Sequence, residues 1–324
     1  MKRLNLFVCA ALAIAGAASC DPVAPEAEDN SLRISAAYTS DAAYGHGSQG
    51  WIESDKLGVF VVSDGKAVAS NLPYNPSQVC QLVENEWVPG MFTYGDPVGE
   101  VELVTTAPAF SLPHGFNTVY AYTPYVEGLT DMTAIPLPDA SVQTYTPGVF
   151  VPDVNLTFAY NKAEVCDCGI VRMGQMTPAY TQMTIPSPSF PDSFVGKKVT
   201  KVVVAANSSY TKIAAKAATI DITTGEISGE LVNAVEILLP EGGLDISSGY
   251  FGASTETLYV IMNIDKEYES ILTTTFKFTY TIDGVDYEMV NTPNENMSMV
   301  GNINMRDQLA IEEPSTEEEE TPAE

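Results

Sequence analysis

Thr275-Phe276-Lys277-Phe278-Thr279-Tyr280-Thr281-Ile282-Asp283-Gly284-Val285 is the stretch whose pattern fixes the fold class. Phe276, Phe278 and Tyr280 share one side of an extended chain, and Lys277, Thr279 and Thr281 share the other, the period of two expected of a strand with one buried face. Asp283-Gly284 follows at once. Asp-Gly suits a two-residue hairpin turn because both central residues take positive φ, and Val285 to Val290 then returns as the partner strand. A second hairpin is signalled by Ile220-Asp221-Ile222-Thr223-Thr224-Gly225-Glu226-Ile227, with the glycine closing the turn.

Outward from these hairpins, helical periodicity is hard to find, while short β-rich runs recur between turn residues. Leu32 to Tyr38, Leu57 to Val62, Val101 to Thr106, Thr118 to Tyr122, Asn155 to Tyr160, Val199 to Ala205, Thr257 to Ile264 and Thr273 to Thr281 all favour strand. Short strands at this spacing, punctuated by Gly and Pro, predict an all-β chain of antiparallel β-sandwiches. The length suits two domains. Pro178, Pro186, Pro188 and Pro191 crowd Met176 to Asp192, a segment expected neither to sustain a helix nor to pair as a central strand. The expected units are therefore residues 31–183 and 184–311.

The two chain ends differ from this body. Lys2 and Arg3, the apolar run Leu6 to Ala15 and the small residues Ala17-Ala18-Ser19 form a signal peptide over residues 1–19, too short for a membrane-spanning helix. Cys20 directly after the small residues resembles the lipobox of bacterial lipoproteins, in which that cysteine is acylated. An ordinary signal-peptidase cut is the alternative, since Ala17 stands where a lipobox more often has Leu. Asp, Glu, Ala and Pro dominate residues 20–30, which read as a flexible tether. Residues 312–324 hold seven glutamates and two prolines and are expected to be disordered. The net charge of −27 argues against nucleic acid or anionic lipid as a partner, since both require basic patches.

Chemistry is sparse. With Cys9 in the signal and Cys20 acylated, Cys80, Cys166 and Cys168 remain, and three thiols cannot all pair within one chain. His46 and His114 are the only histidines, both beside glycine, so neither a zinc site nor a histidine-based active site is expected. Gly45-His46-Gly47-Ser48 lacks the strand-to-helix setting of a nucleophile. No aromatic cleft surrounds any carboxylate pair, as a glycosidase would want. Asp96, Glu100 and Glu102 could offer oxygens to Ca²⁺, though a solvated loop is the simpler reading. Trp51 and Trp87 are expected in the core. The chain reads as a non-enzyme with no cofactor and no metal.

Trp51-Ile52-Glu53-Ser54-Asp55-Lys56-Leu57-Gly58-Val59-Phe60 resembles the start of the fimbrillin-like (Mfa-like) family, lipoprotein subunits of the type V pili of Bacteroidales. Further pieces follow in the family's order: Asn71 to Tyr74, Glu86-Trp87, Val119-Tyr120-Ala121-Tyr122-Thr123-Pro124-Tyr125, Lys198 to Val204, Asp221 to Glu226 and Gly301 to Met305. The resemblance implies two transthyretin-like β-sandwich domains in tandem, export to the outer membrane, and fimbrial assembly with other pilin subunits by donor-strand exchange. In that family an N-terminal strand is cut off after a basic residue, and the groove accepts a strand from the next subunit. Arg33 is the only Arg or Lys between Arg3 and Lys56, so if a trypsin-like maturation cut occurs it falls there and parts lipid, tether and first strand from the body; with Arg33 intact, Cys20 holds the protein on the membrane.

Ile303, Met305, Leu309 and Ile311 form a candidate donor pattern, broken by Arg306-Asp307-Gln308. Its alternative is a strand that completes the domain's own sheet. The functional expectation is a lipidated pilus subunit or adhesin that meets a host or bacterial surface receptor. The competing expectation is a surface glycan-binding lipoprotein of a nutrient-uptake system, which fold alone does not separate from it.

Overall fold

The computed structural model describes residues 32–37, 51, 55–83, 86–89, 101–105, 107–145, 158–165, 170–186, 190–247, 250–251, 257–263, 275–291 and 302–304. The expected signal peptide, Cys20, the expected tether and the glutamate-rich residues 312–324 lie outside them. Among the described residues, helical geometry is confined to one 3₁₀ turn, Asp192–Phe194, and the rest is strand and connection. The chain is all-β.

In the first half the strands are β1 (Arg33–Ala37), β2 (Leu57–Ser63), β3 (Lys66–Val83), β4 (Glu86–Pro89), β5 (Val101–Val104) and β6 (Asn117–Thr123). Two short strands follow, β7 (Ile135–Pro136) and β8 (Val142–Thr144), then β9 (Ala159–Val165), β10 (Ile170–Gln175), β11 (Thr177–Pro178) and β12 (Thr181–Pro186). The second half holds β13 (Lys198–Ala206), β14 (Ala214–Asp221), β15 (Glu226–Val232), β16 (Ala234–Leu238) and β17 (Leu244–Ser247). It closes with β18 (Tyr250–Phe251), β19 (Thr257–Met262), β20 (Phe276–Ile282), β21 (Val285–Asn291) and β22 (Asn302–Asn304).

A single long strand ties the first sandwich together. β3 pairs with β2 as far as Tyr74, then leaves it and pairs with β5 from Asn75 onward. Pro73 and Pro76 flank this change of sheet, where a missing N–H costs least. One layer therefore runs β10-β1-β5-β3 and the other β3-β2-β6-β9-β11. Ile34, Ala36, Val101, Leu103, Val171 and Met173 from the first layer meet Leu57, Val59, Val61, Val119 and Ala121 from the second in one core.

The second sandwich is built on β13, whose register pairs it with β20 along one edge and with β16 and β17 along the other. Phe276, Phe278 and Tyr280 are fully buried, whereas Lys277, Thr279 and Thr281 are only partly covered, as the period of two requires. Asp283 and Gly284 take φ of 49° and 83°, the positive pair that the hairpin needs. Across the core stand Met183 and Ile185 of β12 with Leu258, Val260 and Met262 of β19.

Three features depart from the expected plan. The first is β12, which pairs with β19 on one edge and β22 on the other, so the proline-rich segment does supply a central strand. Its prolines stand at 178, 186, 188 and 191, leaving residues 179–185 free to pair. Position 183/184 lies inside this strand.

Three pairings, moreover, are parallel within otherwise antiparallel sheets: β1 with β10, β12 with β22 and β8 with β16. Each joins strands far apart in sequence, as parallel neighbours must be.

Residues 124–145, between β6 and β9, pack on the second sandwich. Ile135 and Pro136 pair with Ile220 and Thr219, and β8 lies beside β16. The Gln143 carboxamide acts as a strand would: its nitrogen donates to the Ile261 carbonyl at 2.7 Å, and its oxygen accepts from the Ile261 N–H at 2.9 Å. Above this excursion, Phe60, Tyr122 and Phe158 form an aromatic row on the outer face of the β2-β6-β9 layer. They meet Ile135, Ala215, Ala218, Ile220 and Ile222 in a third core.

Candidate functional site

β1 is the element to which the sequence expectations of anchoring and assembly point, because it is the first described strand and opens on Arg33. It occupies an inner position of its layer. Ile34, Ser35 and Ala36 lie opposite Leu103, Glu102 and Val101 of β5, while Arg33, Ile34, Ser35 and Ala37 lie opposite Ile170, Val171, Arg172 and Gln175 of β10. Leu32, Ile34, Ser35 and Ala36 are all buried. Burying the Leu32 and Ile34 side chains stabilises by about 1.5–3 kcal/mol each.

Side chains and loop backbone then clasp both ends. The Leu32 N–H donates to the Phe110 carbonyl at 2.7 Å, and the Tyr74 hydroxyl donates to the Leu32 carbonyl at 3.2 Å. At the far end the Trp51 indole N–H donates to the Ala36 carbonyl at 3.2 Å, and the Met176 N–H donates to the Ala37 carbonyl at 3.0 Å. Each such bond contributes about 1 kcal/mol net. Burial pushes the Tyr74 hydroxyl up to about 12, so it stays a donor at any physiological pH. The Arg33 guanidinium donates through Nε and Nη2 to one Glu102 oxygen, at 3.0 and 2.7 Å. With Arg33 nearly half exposed, that ion pair contributes no more than about 1 kcal/mol.

The sequence-predicted residues are distributed as follows. Arg33 opens β1. Ile303 sits in β22 beside Met183 of β12, at the edge of the second sandwich's small sheet, while Cys20, Met305, Leu309 and Ile311 lie outside the described residues. β1 and β22 belong to different sheets. Of the suggested Ca²⁺ trio, Glu102 is engaged by Arg33, and Asp96 and Glu100 lie outside the described residues. Trp51 is fully buried, and Trp87 lies on β4 opposite Leu82. His114 occupies an exposed turn before β6; His46, Cys166 and Cys168 lie outside the described residues, and Cys80 is on β3. The clasping roles of Trp51 and Tyr74 were not legible beforehand, because a hydrogen bond from a side chain to a distant carbonyl leaves no periodic trace.

No protein-family model and no curated protein matches the sequence. Solved structures do resemble the fold. A protein of Bacteroides uniformis ATCC 8492, provisionally described as a cell adhesion protein, aligns with TM-score 0.46 at 15% identity over 85% of this chain and 92% of its own. One of Bacteroides ovatus ATCC 8483 with the same description gives 0.46 at 12% over 87% and 94%. A fimbrial protein of Bacteroides ovatus ATCC 8483 gives 0.39 at 12% over 87% of this chain and 50% of its own. At such TM-scores and identities neither a role nor a residue correspondence is carried across.

Proposed function

We propose that this chain is a non-enzymatic surface protein of the adhesion or fimbrial class. It is exported, held at the outer membrane by a lipid on Cys20, and joined to other pilin subunits by strand exchange, with a surface receptor as its further partner. The observation that carries this reading is the seating of β1. A strand held through backbone bonds on both edges, with apolar side chains alternating into a core, defines a strand-shaped site of the kind that exchanged strands fill. In this chain its occupant is the chain's own segment. The glycan-binding alternative would rest on exposed aromatic platforms; Trp51 is wholly buried, whereas Phe116 and Tyr210 are exposed.

Cys20→Ser tests the anchoring. The substituted protein is expected to lose lipid labelling, to leave the outer-membrane fraction, and to remove the cell-surface adhesion that the native protein confers. Unchanged fractionation and adhesion would contradict the reading.

A further inference from the structure

The bond after Arg33 lies inside β1, not after it. Of the four register pairs with β10, only Arg33↔Ile170 precedes that bond, and all three pairs with β5 follow it. Ile34 and Ala36, the Trp51 clasp and the Met176 bond also remain on the body's side. A cut there removes Leu32 with its Tyr74 and Phe110 bonds, and Arg33 with its Ile170 pairing and its Glu102 ion pair, and leaves Ile34 to Ala37 of the strand on the body. No Arg or Lys occurs again until Lys56, immediately before β2. The expected departure of the first strand with the tether therefore fails on register. Cutting at the sole basic residue trims the strand without emptying its site.

Resting on the strand-exchange reading above, we infer that this chain keeps β1 through maturation and accepts no strand from another subunit at that position. Its groove is filled in cis. Such a subunit can contribute a strand but cannot receive one there, so it stands at an end of any assembly and does not propagate a fibre.

The test uses the full chain carrying Cys20→Ser and an arginine-specific protease, which leaves Lys56 intact. A labelled synthetic peptide spanning residues 32–38 is the probe, and fluorescence anisotropy reads its capture while intact mass reads the cut. The comparison protein carries Gln49→Arg, or Ser48→Arg, which places a cleavable bond beyond β1. After digestion the comparison protein is expected to take up the peptide in excess and to form SDS-resistant ladders. The protein with native residues 48 and 49 is expected to capture at least about tenfold less peptide and to form no ladders, whether or not Arg33 is cut. Equal capture by both overturns the inference while leaving strand exchange standing. Capture by neither removes the strand-exchange reading, and the inference with it.

Discussion

Gly58 is placed where β2, Tyr122 and Asn71 meet, and a Cβ built there would collide with the Tyr122 ring and the Asn71 carboxamide oxygen. That tight corner holds a network: Tyr122 donates to Asn71 Oδ1 at 2.8 Å, and Asn71 Nδ2 donates to the Val126 carbonyl at 2.7 Å. Gly58→Ala should cost about 1–3 kcal/mol by overpacking, read as a lowered melting temperature. Tyr74 makes a pH-dependent prediction. Its folded value of about 12 exceeds the ordinary value of 10, so the folded state holds the proton more tightly. This stabilisation is complete below pH 10 and is lost as pH rises toward 12; Tyr122, also pushed to about 12 by burial, acts in the same sense. Denaturant melts across pH 9–12 should show this decline. Tyr74→Phe should lower stability by about 1 kcal/mol at neutral pH and make the alkaline decline shallower.

Among the elements, Gln143 carries the clearest expectation. Replacing it with Leu strips both partners from the buried Ile261 peptide groups, and about 2 kcal/mol or more should be lost. Equilibrium urea unfolding would measure it. The strands legible beforehand were those with one apolar face, such as β20, where the Asp283-Gly284 turn also fixed the partner. β9 came later than expected, at Ala159–Val165, because Lys162 and Glu164 on one face, and on the other Asn161, whose carboxamide donates to the Met173 and Gln175 carbonyls, break the apolar signal. β7 and β8 went unrecognised because two or three residues give no period. β3 was hidden by its own prolines. At the candidate site, Arg33 was conspicuous as a solitary cation, but its place at the start of the strand was set by pairing with β5 and β10, partners about 70 and 140 residues away.

At the scale of the molecule, β2 explains why the halves are joined closely. Val59 and Val61 face the first core while Phe60, on the other face, reaches the third core against β14. A layer buried on both faces joins the two sandwiches, and the excursion through Ile135 and Gln143 reinforces the join. The same closure gives β1 its standing, since it is laid between β5 and β10 and locked by Trp51 and Tyr74. A strand of five residues near a chain end would ordinarily fray. Amide hydrogen exchange of the intact chain under native conditions tests this most directly. The amides of Ile34, Ser35 and Ala36 are predicted to exchange with the slowest set, alongside Val202 and Phe278 of the second core. Exchange of those three amides at the rate of an unstructured terminus would contradict the account.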